Sequence, residues 1–432
     1  MTTIIKNTPT DLFLDNIPQG ASEGVFNQLK TTAVQKLRET GLPKAKDEEY
    51  KYTPISRRIE SSISNFQHAA PVEITQEQIA KEIIPGMDAE VLVFNNGHFD
   101  AQRSRWDKDA IQVALLSEAS EEALAKGFGS IAKIDKDPFT ALNTASFEDG
   151  VFIDIPQGKT LKKPILLLSF NQSSVGQTVF SRVFINIEKH SEITFIEKII
   201  SLDEEVYFLN DVTEISVAEN AHLYYYKLQQ ENRNSIEVSN FETDIHQNGT
   251  FSSGVVSLSG GMIRNNLSLN LLGSNCEGNM YGLYLLNGKT HVDNHTNVDH
   301  ILPHSESNEL YKGILADNSR GVFNGKIFVR QEAQKTNAFQ QNNNILLSED
   351  AILNTKPQLE IWADDVKCSH GCTAGQMDDE ALFYLQARGI GKEMAKGLLL
   401  FAFAEEVLSH IKNEEFRSYC SQQVQERLGS GF

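Results

Sequence analysis

The chain has 432 residues, of which 40% are hydrophobic and 22% charged, and a formal net charge of −19. That is the balance of a globular chain long enough to bury a large core and to hold two or three domains. The acidic surface speaks against a nucleic-acid partner, whose phosphates it would repel. Four cysteines make no disulfide scaffold and point to the reducing cytoplasm. The opening MTTIIKNTPTDLFLDNIPQG lacks a basic stretch followed by a long apolar run, so no signal peptide is expected. No segment reaches the roughly 18 apolar residues of a membrane span; the most apolar one, 398–408, is broken by Glu405 and Glu406.

In chain order, residues 24–41 predict a helix with Phe26, Leu29, Ala33 and Leu37 on one face, stopped by Gly41 and Pro43. GLPKAKDEEYKYTPI (41–55) reads as a charged loop with anchors at Tyr50, Tyr52 and Ile55. A short helix over 74–84, a strand over 89–94 and a helix over 118–128 complete an N-terminal helical and mixed region, 1–149.

From about residue 150 helical periodicity vanishes. Short alternating runs replace it, among them 151–155, 164–170, 182–187, 192–200, 222–228, 267–272, 280–286 and 326–330, with Gly, Asn and Asp between them. HSEI (190–193), NAHL (220–223), NGTF (248–251) and DAIL (350–353) each place a corner before a strand, the first three 30 and 28 residues apart. Strand repeats at that spacing fit a β solenoid over 150–365 or, failing that, a β-sandwich. Helices return in a C-terminal region, 366–432, over 378–390, 392–411 and 414–428, with Asp378 as a cap. The terminal helical regions would cap the exposed end rungs of the solenoid.

NGKT (287–290) is not a phosphate loop. The glycine must stand five residues before Gly288, where the chain has Leu283, so a turn is expected. HVDNHTNVDHILPH holds His291, His295, His300 and His304. On a strand His291, Asp293 and His295 share a face, either as metal ligands or as a hydrogen-bonded polar rung.

The strongest chemical signal is CSHGC (368–372), where Cys368, His370 and Cys372 fall within five residues. Thiol and imidazole donors suit zinc, iron or an iron–sulfur cluster, but three donors so close form a half-site that needs completing elsewhere. Cys276 and Cys420 stand alone and are expected to be structural. No Ser-His-Asp signature or dinucleotide-binding glycine fingerprint is present.

Three blocks carry a family likeness: GLPKAKDEEYKYTPI (41–55), ELYKGILADNSRGVFNGKIFVRQEAQKTNAFQQNNNILLS (309–348) and NTKPQLEIWADDVKCSHGCTAGQMDDEALFYLQARGI (354–390). With these the chain resembles the SufB/SufD family, the scaffolds of SUF iron–sulfur cluster assembly, and its SufD members most. The resemblance implies a right-handed parallel β-helix core flanked by helical ends, and a non-enzymatic scaffold. It implies a complex with SufB, paired along the β-helix, and two copies of the ATPase SufC, one of which the C-terminal helices receive. A transient cluster would form at the SufB interface, where His370 and Cys368 match the family's KCSHG motif and join a SufB cysteine. No cofactor would be held stably by this chain alone.

The family's usual KCSHGAT has alanine where this chain has Cys372. The reactive cysteine that SufB-like chains carry before the motif is absent from 340–357. Leu382, Phe383, Leu385, Leu398, Leu399 and Phe401 are the expected SufC contacts. The strands within 309–348 are the expected pairing edge for SufB, or for a second copy when the chain is isolated. The alternatives are a β-helix carbohydrate-active enzyme and a purely structural docking subunit.

Overall fold

The computed structural model describes residues 8–17, 25–173 and 176–429. The N-terminal elements are helices α1 (Pro9–Asp15), α2 (Val25–Thr40), α3 (Ile55–Ser62) and α4 (Gln76–Glu82), strands β1 (Glu90–Asn95), β2 (His98–Phe99) and β3 (Gln112–Leu115), and helices α5 (Glu121–Leu124) and α6 (Pro138–Ser146). Strands then follow without a helix: β4 (Val151–Ile155), β5 (Ile165–Asn171), β6 (Gln177–Ile187), β7 (Glu192–Ser201), β8 (Tyr207–Val217), β9 (His222–Gln230), β10 (Ile236–Ile245) and β11 (Thr250–Ser259). The series continues with β12 (Met262–Leu271), β13 (Glu277–Leu286), β14 (His291–His300), β15 (Glu306–Leu315), β16 (Arg320–Val329), β17 (Asn337–Leu346), β18 (Ile352–Ile361) and β19 (Lys367–Gly375). Helices α7 (Asp379–Ala387), α8 (Lys392–Leu408) and α9 (Glu414–Gly429) close the described chain.

Successive strands alternate between two sheets. One runs β19-β17-β15-β13-β11-β9-β7-β5-β1-β2 and the other β18-β16-β14-β12-β10-β8-β6-β4-β3. From β4 on every pairing within a sheet is parallel, so the chain winds as a flattened β solenoid and the sandwich alternative is excluded. Each strand turns alternate side chains inward, and the inward ones stack in columns. One column runs Ile153, Ile185, Ile215, Thr243, Leu269, Val298, Ile327 and Leu359. Each buried aliphatic member contributes roughly 2 kcal/mol; Leu269→Ala would cost roughly 3 kcal/mol.

The corners explain the repeat. His190, Asn220, Asn248 and Asn275 take positive φ near 60°, a conformation asparagine tolerates. Asn248 donates to Asn220, and Asn275 to Asn248, forming an amide ladder along the corner. Register partners Glu192, His222 and Thr250 reproduce the 30- and 28-residue spacing. DAIL (350–353) belongs to the opposite corner, where the chain passes from β17 to β18.

Strand pairing runs across positions 150 and 366: β1 pairs with β5, and β19, which carries the CSHGC segment, pairs with β17. Three expectations are corrected. The helices do not cap the solenoid ends. Phe13, Leu37, Phe139 and Leu142 pack on the outer face of one sheet at Phe180, Phe184 and Phe208. Leu400, Ala404, Val407 and Phe416 pack on the outer face of the other at Tyr226, Val256 and Leu283. The first rung is closed by antiparallel β2 and β3, and the last is open among the described residues. The edge strands there are therefore β18 and β19, not those of 309–348, because β15, β16 and β17 are paired on both sides. The helix expected over 118–128 shrinks to a 3-10 turn and the four-residue α5.

Candidate functional site

β19 is extended, so Cys368, His370 and Cys372 lie at every second position on one of its faces. Their register partners on β17 are Ala338, Gln340 and Asn342, which are buried inside the solenoid. The three donors thus continue an inward-facing row at a rung that no further strand covers among the described residues. They form an open line, with neighbours roughly 7 Å apart along the strand, and not a closed ligand cage. Cys368 is half-buried and Cys372 exposed; His370 is exposed. Burial pushes the Cys368 thiol above its ordinary pKa.

Beneath this row the solenoid interior is polar. Glu309 accepts from Thr296 Oγ1 at 2.5 Å and from Gln340 Nε2 at 3.1 Å. Burial pushes its carboxyl up to about 7. Asn342 donates to the Tyr284 hydroxyl at 3.0 Å, and Asn344 to Asn342 at 2.8 Å. Gln340 Oε1 and, on the facing strand, Thr355 Oγ1 are buried without a hydrogen-bond partner. None of these residues stood out in the sequence. The available signal was a run of amides at alternate positions, Gln340, Asn342 and Asn344, where a strand core is usually aliphatic.

The C-terminal helices separate the six expected contacts. Leu382 is buried among its neighbours and lines the groove beside α8. Phe383 is 71% exposed and Leu398 47%, with Met394 beside them at 68%. Leu385, Leu399 and Phe401 are partly buried. A groove of about 1560 Å³ runs between α7, α8 and the last rung, lined among others by Leu347, Met377, Leu398, Leu400 and Phe401.

The histidine run does not gather into one site. His291, Asp293 and His295 do share the outer face of β14, where the 41–55 segment lies on them. Thr53 Oγ1 lies 3.0 Å from His291 Nε2 and donates to Asp293 at 2.5 Å. Arg264 donates to Asp293 at 2.8 Å and stacks on the Tyr50 ring at 3.9 Å. His300 takes the opposite face, at 2.8 Å from Ser307 Oγ, and His304 sits in a corner at φ 66°. The run is a polar rung that clamps the N-terminal segment. NGKT is the turn between β13 and β14, closed by Thr290 N–H donating to the Asn287 carbonyl. Cys276 and Cys420 are buried.

The class is a two-sheeted parallel β solenoid with thiol and imidazole donors on its terminal strand. Comparison with known proteins gives the family. The SufBD core domain of SUF-system FeS cluster assembly matches residues 170–403, and the SufBD N-terminal region matches 10–167. Iron-sulfur cluster assembly protein SufD of Escherichia coli is 32% identical over 410 residues, covering 92% of each chain. A SufBD-family iron-sulfur cluster assembly protein of Synechocystis is 30% identical, over 91% of this chain and 89% of its own. SufD of Bacillus subtilis is 25% identical, over 90% and 91%. The chain belongs to the SufBD family and is a SufD-like protein of the SUF iron–sulfur cluster assembly system. No helix among the described residues is long and apolar enough to cross a membrane.

Proposed function

We propose that this chain is a non-enzymatic scaffold subunit that lends ligands to a nascent iron–sulfur cluster. His370 is the first donor, with Cys368 and Cys372 beside it, and a cysteine of a SufB partner completes the set. The carrying observation is the shared face of these three residues on β19, an edge strand whose outer backbone groups are unpaired among the described residues. A SufB sheet continuing past β18 and β19 would pair that edge and enclose the row. In an isolated chain a second copy would fill the same place, giving a twofold homodimer. The cluster is cargo: a neutral imidazole among its ligands lets it pass on more readily than four thiolates would.

SufC docks on α7 and α8, at the exposed Phe383, Met394 and Leu398. ATP hydrolysis belongs to SufC, and the working compartment is the cytoplasm. The carbohydrate-enzyme alternative needs acids and a base on an open rung face. The ion clusters around Lys227 and Arg182 are instead sealed inside the fold.

The test is anaerobic co-purification with SufB and SufC. His370→Ala should assemble the complex with unchanged stoichiometry while iron and sulfide fall at least fivefold; Cys372→Ala should lose less than half. Wild-type iron and sulfide in the His370→Ala complex would leave a purely structural docking subunit as the correct reading.

A further inference from the structure

At the opposite end of the solenoid three segments meet around a buried imidazole. β1 and β2 are joined by Asn96 and Gly97, whose φ angles of 48° and 79° are those of the primed turn that Asn-Gly favours. Gly97 is required there, because a Cβ would lie 2.3 Å from the Phe180 carbonyl oxygen. The turn delivers His98 as the first residue of β2 and aims the Asn96 carbonyl at His68. His68 Nε2 lies 2.9 Å from that oxygen. A carbonyl only accepts, so the shorter contact puts the proton on Nε2, and the longer 3.3 Å hydrogen bond from the Phe180 N–H to that atom is given up in this tautomer. Nδ1 is left with a bare lone pair.

That lone pair has an unusual setting. The His68 side chain is 4% exposed, and Nδ1 is buried with no hydrogen-bond partner. It faces Glu148 Oε1 at 3.8 Å, so two acceptors confront each other across a gap too long for a hydrogen bond. The His98 ring stacks on His68 with centroids 4.4 Å apart and makes no hydrogen bond among the described residues. One ligand atom from each of the three lies within 4.8 Å of the others.

We propose that His68, His98 and Glu148 bind a divalent first-row transition ion, separate from the cluster site on β19. Two imidazoles and one carboxylate are a donor set of both zinc and ferrous sites, with a further position open to water. The bond from His68 Nε2 to a backbone carbonyl is the usual support of a ligating histidine. The two ring planes lie within 12° of parallel, so His98 must turn about its Cβ–Cγ bond for an in-plane lone pair to converge with that of His68. Glu148, half exposed, gives the ion a route from solvent. The ion would staple three pieces: the arm that bridges β6 at Thr178 through His68, the β1–β2 hairpin, and the segment following α6.

The test uses the full-length chain carrying Cys368→Ser, His370→Ala and Cys372→Ser, which silences the terminal donors. After stripping with EDTA it is titrated with Co²⁺, read by its d–d absorption, and dialysed against Zn²⁺ or, anaerobically, Fe²⁺. One equivalent should bind. Adding His98→Ala or Glu148→Gln should weaken binding at least tenfold while the metal-free circular dichroism stays unchanged. The Zn²⁺ and Fe²⁺ arms decide which ion is preferred. Absence of a stoichiometric ion in the background protein, or equal affinity in all three proteins, would overturn the site.

Discussion

Cys368, His370 and Cys372 owe their common face to the period of two along a strand, and what lies beneath them to an interior built from amides and a carboxyl. Glu309 is the titrating member. Its pKa of about 7 in the fold stands above the roughly 4.3 of an exposed glutamate. The fold therefore favours its protonated form. This stabilisation is complete below about pH 4 and is lost as pH rises through about 7. Glu309→Gln stays neutral throughout. Wild-type stability, measured against the variant by urea unfolding, should fall by up to roughly 3 kcal/mol between pH 5 and pH 8. A difference constant with pH would show that Glu309 is ionised at all these values. The donor triad was legible in the sequence because thiols and an imidazole are conspicuous. Glu309 and Gln340 were not, since only register places them under His370.

Aliphatic strands declared themselves by alternation, and β4, β5, β7 and β9 fall within a few residues of the runs read from sequence. β17, β18 and β19 did not, because their inward positions include Gln340, Asn342, Asn344, Thr355, His370 and Cys372, which break the apolar pattern. That is why the CSHGC segment read as the lead-in to a helix and 309–348 read as the edge. α2, α8 and α9 were legible from their periodicity. α6 was not, because every residue after Pro138 is buried and it shows no solvent-facing side. Two element-scale outcomes follow. Phe383→Asp and Leu398→Asp should reduce SufC binding at least tenfold by calorimetry and shift the melting temperature by under about 3 °C, since both side chains face solvent. Leu400→Asp should instead unfold the C-terminal helices, and a SufC affinity unchanged in the first two would remove the docking assignment. Amides of β18 and β19 should exchange fast in the monomer and gain protection with SufB, while those of β15 and β16 stay protected throughout. Protection gained only in α1 to α4 would contradict edge pairing.

On the scale of the molecule the two ends of the solenoid differ. The first rung is closed by antiparallel strands and flanked by the N-terminal helices, which the 41–55 segment lashes to β14, β12 and β16 through Thr53, Arg264 and the Glu49–Lys326 ion pair. The last rung is open, and both helical regions lie on the sheet faces. A chain built in this way offers one surface for extension, and the soft donors sit on it. The repeat length and the helical ends could be read from the sequence; the asymmetry could not, because it depends on where helices pack and not on where they form. The most direct test labels only this chain with ¹⁵N-histidine, assembles it with unlabelled SufB and SufC, loads iron and sulfide anaerobically, and records pulsed electron paramagnetic resonance of the reduced cluster. A ¹⁵N coupling of a directly bound imidazole, lost in His370→Ala, is the expected result. A paramagnetic cluster with no ¹⁵N coupling from this chain would contradict the assignment of His370 as its ligand.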